Sequence, residues 1–238
     1  AMLFGLVGSE MCIRDRSFTP SLSEPLPTFF ALSSSRLLSS SLSSSVGNIS
    51  SVPYVPDESE LPEGAAVAYF AGGCFWCVEE CFQQKKGVHA VISGYAQGTE
   101  DEADYKLVST AQTAHSEAVK VVYDPAVISY DALLDHFWKL HDPTTLNRQG
   151  NDRGPQYRSG IYYQTDEEKA AAEASKAKLD ASGYYASPAV TEILAHSTFF
   201  PAEDYHQNYY RLNPDDRYCR AVLVPKLRKL GLVTIDDY

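Results

Sequence analysis

An α+β fold is what this sequence predicts: a mixed sheet with helices packed on it, in one domain over residues ~60–238. Three observations carry that prediction. Short runs with strand character are interspersed with runs of helical period, so both element types are present. Some strands follow one another with no helix between them, which a purely βαβ chain would not do. Hydrophobic residues make up 44% of the chain, an ordinary fraction that permits a sizeable core.

Residues 1–60 stand apart from that domain. From Ser17 to Val52 serine dominates, and Glu24 and Arg36 are the charged side chains. Such a segment cannot bury enough surface to offset its ordering entropy, so disorder is expected. Being Ser-rich and acid-poor, it has the make-up of a transit peptide, which would place the protein in a chloroplast or mitochondrion; otherwise the cytoplasm is expected. Residues 1–16, with Met11-Cys12-Ile13-Arg14, resemble translated sequencing adapter, and Cys12 is set aside with them. Residues 53–62, rich in proline and acids, read as a linker.

The first strand of the domain is the apolar run Ala66-Val67-Ala68-Tyr69-Phe70-Ala71. Gly72-Gly73 breaks it, and Val78 to Lys86 reads as a helix ended by Gly87. Glu79 and Glu80 would fall in its first turn and Lys85 and Lys86 in its last, as the helix dipole favours. Cys74 then lies where a strand gives way to a helix N-terminus. Unpaired backbone N–H groups there favour an anion, so this thiol should ionise more readily than a free cysteine, whose pKa is about 8.5. Phe75, Trp76 and a second thiol, Cys77, stand beside it. The pattern reads as a reactive sulfur at the mouth of an apolar pocket.

Val88 to Tyr95 reads as a second strand, followed by an acidic loop from Gly98 to Asp104 and then Tyr105. Ser116 to Tyr123 alternates as a strand does. Asp124-Pro125 turns the chain into a helix from Ser129 to about Leu140, in which Tyr130, Leu133, Leu134, Phe137, Trp138 and His141 recur at i, i+3, i+4 spacing. That stripe reads as core. The loop from Asp142 to Gln156 is long and rich in Pro, Gly, Asn and Asp, and loops of that length tend to be functional. Tyr157 to Gln164 is a strand, Asp166 to Ser182 an alanine-rich helix, Ala189 to Ala195 a strand, and Phe200 to Tyr210 a short aromatic helix. The tail carries Tyr218-Cys219 before a basic stretch, Lys226 to Lys229, and is expected to be mobile.

Composition excludes several functions. A formal charge of −11 argues against nucleic acid as a partner. No run reaches the ~18 apolar residues of a membrane span. The cysteines, Cys12, Cys74, Cys77, Cys81 and Cys219, are odd in number and uneven in spacing, which suits catalytic thiols better than a disulfide framework. Cys74-Phe75-Trp76-Cys77 alone leaves other readings open. One is half of a zinc site, which would need a second ligand cluster; no second CxxC or HxxxH is present, so no metal is expected. The other is a thioredoxin-like disulfide oxidoreductase working through the Cys74/Cys77 pair.

Four motifs in order resemble the A-type peptide methionine sulfoxide reductases, which act on methionine-S-sulfoxide. Gly73-Cys74-Phe75-Trp76 matches the family's nucleophile motif, with Cys77 where it more often has glycine. Ala114-His115-Ser116-Glu117 matches G-H-x-E with alanine first. The stretch Gly150-Asn151-Asp152-Arg153-Gly154-Pro155-Gln156-Tyr157-Arg158-Ser159 matches G-N-D-x-G-x-Q-Y-R-S, and Glu203-Asp204-Tyr205-His206-Gln207 matches E-D-x-H-Q. The match runs from about Val67 to Cys219. It implies a two-layer sandwich of ferredoxin-like character and a monomeric enzyme that needs no cofactor beyond an external reductant, thioredoxin or dithiothreitol.

The chemistry fits. A sulfoxide sulfur becomes electrophilic when its oxygen is protonated or strongly hydrogen-bonded, so a reductase needs a thiolate and an acid. Cys74 would supply the first. Glu117, in an otherwise apolar strand, would be kept protonated by burial and supply the second. By family match Tyr105, Asp152 and Tyr157 complete the polar side, and Phe75 and Trp76 cage the methyl group. Attack would leave a Cys74 sulfenic acid, which a second thiol condenses to a disulfide. Cys77 is expected to resolve first and Cys219 to pass the disulfide outward, with Cys81 as packing. Ala103-Asp104 replaces a common Asn-Pro ahead of Tyr105, and no glycine-rich, cysteine-bearing tail follows Cys219.

Overall fold

The computed structural model describes residues 61–234 and 237. The expectations for residues 1–60, disorder, transit peptide and adapter-like origin, lie outside the described residues. Six strands form one sheet: β1 (Ala66–Gly72), β2 (Val88–Ala96), β3 (Ser116–Tyr123), β6 (Ser159–Tyr163), β7 (Glu192–Ala195) and β8 (Phe199–Pro201). Their spatial order is β7, β6, β1, β3, β2, β8. The β6–β7 pair is parallel and the other neighbours are antiparallel. Two further strands, β4 (Arg148–Gln149) and β5 (Asp152–Arg153), make a miniature hairpin inside the long loop. This is the mixed, helix-packed α+β architecture that the sequence predicts.

Side-chain alternation divides the sheet into two faces. Ala68 and Phe70 of β1 and Val119, Val121 and Tyr123 of β3 enter the main core. There they meet α1 (Phe75–Gln83) and α3 (Tyr130–Leu140). Phe70 stacks on Phe82 and on Phe137, each with centroids 5.1 Å apart. The opposite face is a smaller cluster of Tyr69, Ala71, Ala96, Ala118 and Tyr162. Glu117 shares its parity with Val119 and Val121, so its carboxyl enters on the helix side of the sheet. That parity puts an acid inside the protein.

Helix α1 corrects the sequence reading. It starts at Phe75 with Cys74 as its N-cap, and neither acids in its first turn nor bases in its last complement the dipole. Three residues of the expected first turn already lie deep in the helix. Glu79 and Glu80 are buried and serve α5 (Tyr209–Leu212) instead. Glu79 Oε1 accepts the Asn208 N–H at 3.0 Å, and Glu80 pairs with Arg211 at 2.8 Å. Burial, chiefly, pushes the Glu79 carboxyl up to about 8.

The aromatic helix expected over Phe200 to Tyr210 is also corrected. Its residues divide into β8, a 3₁₀ turn at Asp204–His206 and α5, with Asn208 at φ 53 interrupting the helical path. The tail departs from expectation most. Cys219–Leu223 is a π-helical turn running into α6 (Val224–Lys229), and Cys219 is fully buried, its N–H held by Asp216. Leu223 and Leu227 dock this segment into the main core. The remaining helices, α2 (Tyr105–Val108) and α4 (Asp166–Ser182), are capped by Asp104 and Thr165.

Edge strand β8 reaches β2 across a glycine. A Cβ on Gly94 would stand 2.4 Å from both the Phe199 ring and the Phe200 carbonyl. Gly94→Ala is therefore expected to cost about 1–3 kcal/mol through overpacking. Urea denaturation measures it, and an unchanged midpoint would refute the close approach.

Candidate active site

Cys74, as N-cap of α1, stands at the end of β1 with the backbone turned by Gly73 at φ +93. A side chain at residue 73 would be strained by that conformation, and its Cβ would fall 2.6 Å from Gln149. The turn lets the 142–156 loop close over the thiol. A cavity of about 310 Å³ opens there, lined by Cys74, Cys77, Asp152, Tyr218 and Lys226 among others.

Behind Cys74 lies the acid. Glu117 is 2% exposed, and its Oε2 accepts the Phe75 N–H at 3.0 Å. Burial raises its carboxyl to about 8; the Phe75 N–H pulls the other way, and Asp152 and Cys77 add to the rise. The carboxyl is thus mainly neutral at pH 7. Asp152 is itself raised by burial, although the Tyr218 hydroxyl donates to its Oδ2 at 2.6 Å. Tyr157 feels the charges of Glu117, Cys74, Tyr105 and Asp152, and burial above all holds its phenol in the proton-donor form. Tyr105 starts α2, with its N–H donated to Glu203 Oε1 at 3.0 Å. Of the residues nominated from sequence, Cys74, Cys77 and Asp152 line the cavity; Glu117, Tyr105 and Tyr157 lie outside the lining, Glu117 tied to the Phe75 N–H and Tyr157 close enough to feel Glu117, Cys74 and Tyr105.

The thiols behave differently from the expectation. Burial first, then a hydrogen bond and charge from Cys77, then Glu117 and Asp152, push the Cys74 thiol well up. Cys77 is lowered to about 7, chiefly by its hydrogen bond with Cys74, against burial and with help from Lys226 and Tyr218. Of the pair, Cys77 is the more readily ionised thiol and Cys74 holds its proton. A helix N-terminus favours an anion, but full burial beside acids outweighs it. All four described cysteines are free and buried. Cys81 and Cys219 are each raised to about 12, mainly by burial.

The aromatic side holds Trp76 firmly. Its ring stacks on Tyr209 at 3.7 Å, Tyr218 meets its edge at 5.9 Å, and its Nε1–H donates to His206 Nδ1 at 3.1 Å. Burial lowers His206 to about 4, so it is neutral and can accept that bond. Neither aromatic expected to cage the methyl group lines the cavity: Phe75 is buried between Trp76, Tyr95 and His206, and Trp76 is packed against Tyr209, Tyr218 and His206.

A family model described as "Peptide methionine sulfoxide reductase" matches residues 66–235. The chain belongs to the peptide methionine sulfoxide reductase family. Among its relatives, peptide methionine sulfoxide reductase MsrA of Pasteurella multocida is 52% identical over 162 residues, 68% of this chain and 92% of that one. The protein of the same name from Methanosarcina acetivorans is 55% identical over 148 residues, 62% of this chain and 79% of that one. Reduced Mxr1 from Saccharomyces cerevisiae superimposes with a TM-score of 0.62 at 32% identity, covering 66% of this chain and 91% of that one. Methionine sulfoxide reductase A of Corynebacterium diphtheriae gives 0.57 at 35%, covering 64% and 77%.

This reductase is thus an oxidoreductase acting on methionine sulfoxide, and the thioredoxin-like and zinc alternatives give way to it. Sequence reasoning gave no role to four residues that the structure places around Cys77 and Trp76: Tyr209, Tyr218, Lys226, and His206, which was quoted only as part of the fourth motif. Tyr209 and Tyr218 were hidden among 16 tyrosines. Lys226 had a usable signal. Cys219, Leu223, Lys226 and Leu227 recur at helical spacing, which places the lysine on the buried side of the tail.

Proposed function

We propose that the chain reduces methionine-S-sulfoxide, free or in proteins, through a Cys74 sulfenic acid and a disulfide that thioredoxin reopens. The observation that carries this reading is the neutral, buried Glu117 carboxyl held on the Phe75 N–H beside Cys74. The Cys74 proton passes to the Cys77 thiolate and on to solvent, which restores Cys77, and the Cys74 thiolate attacks the substrate sulfur. Glu117 protonates the sulfoxide oxygen as the S–O bond breaks, with Tyr105 and Tyr157 as hydrogen-bond donors to it. The hydroxyl passes from the substrate sulfur to the Cys74 sulfur as the transient bond between the two sulfurs breaks, leaving a Cys74 sulfenic acid and methionine, and the Glu117 carboxylate takes a proton back from solvent.

Cys77 then resolves that acid. It shares a hydrogen bond with Cys74 in the reduced protein, whereas Cys219 is held under Asp216 with its thiol well above neutrality. Cys219 acts second, passing the disulfide outward by thiol–disulfide exchange to thioredoxin or dithiothreitol. Residues 61–238 form the catalytic domain in this reading.

Two measurements test it. Turnover with dithiothreitol is expected for the S diastereomer and absent for the R; equal rates would overturn the assignment. In single turnover, Cys77→Ser is expected to block the first disulfide while Cys219→Ser still forms a Cys74–Cys77 bond, as mass mapping would reveal. A Cys74–Cys219 bond formed at the wild-type rate in Cys77→Ser would make Cys77 a bystander.

A further inference from the structure

Helix α6 presents Lys226 to the active-site cavity. The residue is half-buried, lines the same volume as Cys74, Cys77, Asp152 and Tyr218, and is close enough to interact with the charges of Cys77, Cys81, Cys74 and Asp152. Burial alone would lower that ammonium; Cys77, Cys81, Cys74 and Asp152 together hold it above its ordinary value. We propose that Lys226 is a positioning residue of the resolving step: its charge keeps Cys77 as the anion that attacks oxidised Cys74. The proposal rests on the reading of Cys77 as resolving thiol.

The surroundings of Cys77 explain why a cation is needed. From its own helix it faces Cys74 and Cys81, from β5 Asp152, from β3 Glu117. From the tail it faces Tyr218, whose hydroxyl is 4.0 Å from its sulfur, and Cys219. His141, which also senses Lys226, is held neutral, chiefly by burial. Among these groups Lys226 is the cation. The hydrogen bond from the Cys74 thiol favours the Cys77 anion only until Cys74 is oxidised. At the moment of resolution that thiol donor is gone, and the ammonium remains.

The step balances without further reagents. The Cys77 thiolate attacks the Cys74 sulfur, an S–S bond forms and the S–OH bond breaks. Cys77 sulfur is oxidised, Cys74 sulfur is reduced, and the departing hydroxide takes one proton from solvent to become water. Lys226 keeps its proton throughout.

Lys226→Met and Lys226→Arg test this in the full-length protein. The rate of the second thiol's loss after one equivalent of methionine-S-sulfoxide is followed from pH 5.5 to 9. Lys226→Met should raise the half-maximal pH by about 1 unit, at the low end of the ~1–3 units one neighbouring opposite charge contributes. The rate at pH 7 should fall about fivefold, and Lys226→Arg should restore the wild-type profile. A purely structural lysine would change thermal unfolding and leave the half-maximal pH in place, and that result overturns the proposal. Cys77→Ser is run alongside. If it still forms the first disulfide normally, the resolving assignment has failed; if it does not, and Lys226→Met keeps the wild-type profile, the fault lies with Lys226 alone.

Discussion

Cys74→Ser is expected to reduce turnover of methionine-S-sulfoxide to the no-enzyme background. A serine hydroxyl neither ionises near neutrality nor accepts the sulfoxide oxygen as a stable sulfenic acid, so no residual route is left. The fold should not suffer. Cys74 is an N-cap that makes no side-chain capping bond, and serine is among the preferred N-cap residues. Thermal unfolding of the variant should therefore match or exceed wild type while activity is lost. Any sulfoxide-dependent turnover above background would remove Cys74 from the chemistry.

Glu117→Gln is expected to slow methionine formation by roughly 10²–10⁴-fold, the usual scale for a general acid. The amide oxygen can still accept the Phe75 N–H, so the site keeps its shape and loses its proton. The pH dependence has a definite sign. With Glu117 raised to about 8, the acid form predominates below that value, and the wild-type rate of methionine formation should fall as pH rises through it. The variant lacks that limb. Stability follows the same group, since a carboxyl raised on folding stabilises fully below its ordinary value of 4.5, and that contribution is lost as pH rises through about 8. Wild-type stability should thus decline across that window, with Glu79 contributing in the same direction, and Glu117→Gln should flatten part of the decline. Activity within a factor of two of wild type across pH 6 to 8 would exclude Glu117 as the acid.

Long elements were legible because their periods are strong. The reading of β3 as Ser116–Tyr123 and of α4 as Asp166–Ser182 coincides with the structure, since alternation in one and capping plus alanine content in the other leave little choice. The hairpin of β4 and β5, each strand two residues long, carries no period to read. The aromatic stretch after Phe200 looked helical in composition, and it was Asn208 in the left-handed region that divided it. At the site, the approach of Glu117 to Cys74 could be inferred from strand parity and motif order. The protonation of Cys74 could not, because it depends on how deeply the junction is buried and on Cys77, with Glu117 and Asp152 adding from remote stretches. Prolines and a basic stretch made the tail look mobile, whereas Leu223 and Leu227 anchor it.

The placement of Glu117 on β3 has a consequence for local unfolding. That strand is hydrogen-bonded along both edges, to β1 on one side and β2 on the other, and it carries the fully buried Val119 and Val121. Freeing the acid would mean dismantling the middle of the sheet, which is close to global unfolding. The 219–229 segment joins the sheet through no strand ladder, only through short helical turns and side-chain packing. Free energies of opening in a folded protein range from near zero up to the global value, and a segment held by packing alone belongs below a strand laddered on both edges. In the relay proposed above, Cys219 would reach exchange by opening of this packed segment, and the β3 ladders that hold Glu117 would stay closed. The buried carboxyl is thereby kept apart from any rearrangement of the tail.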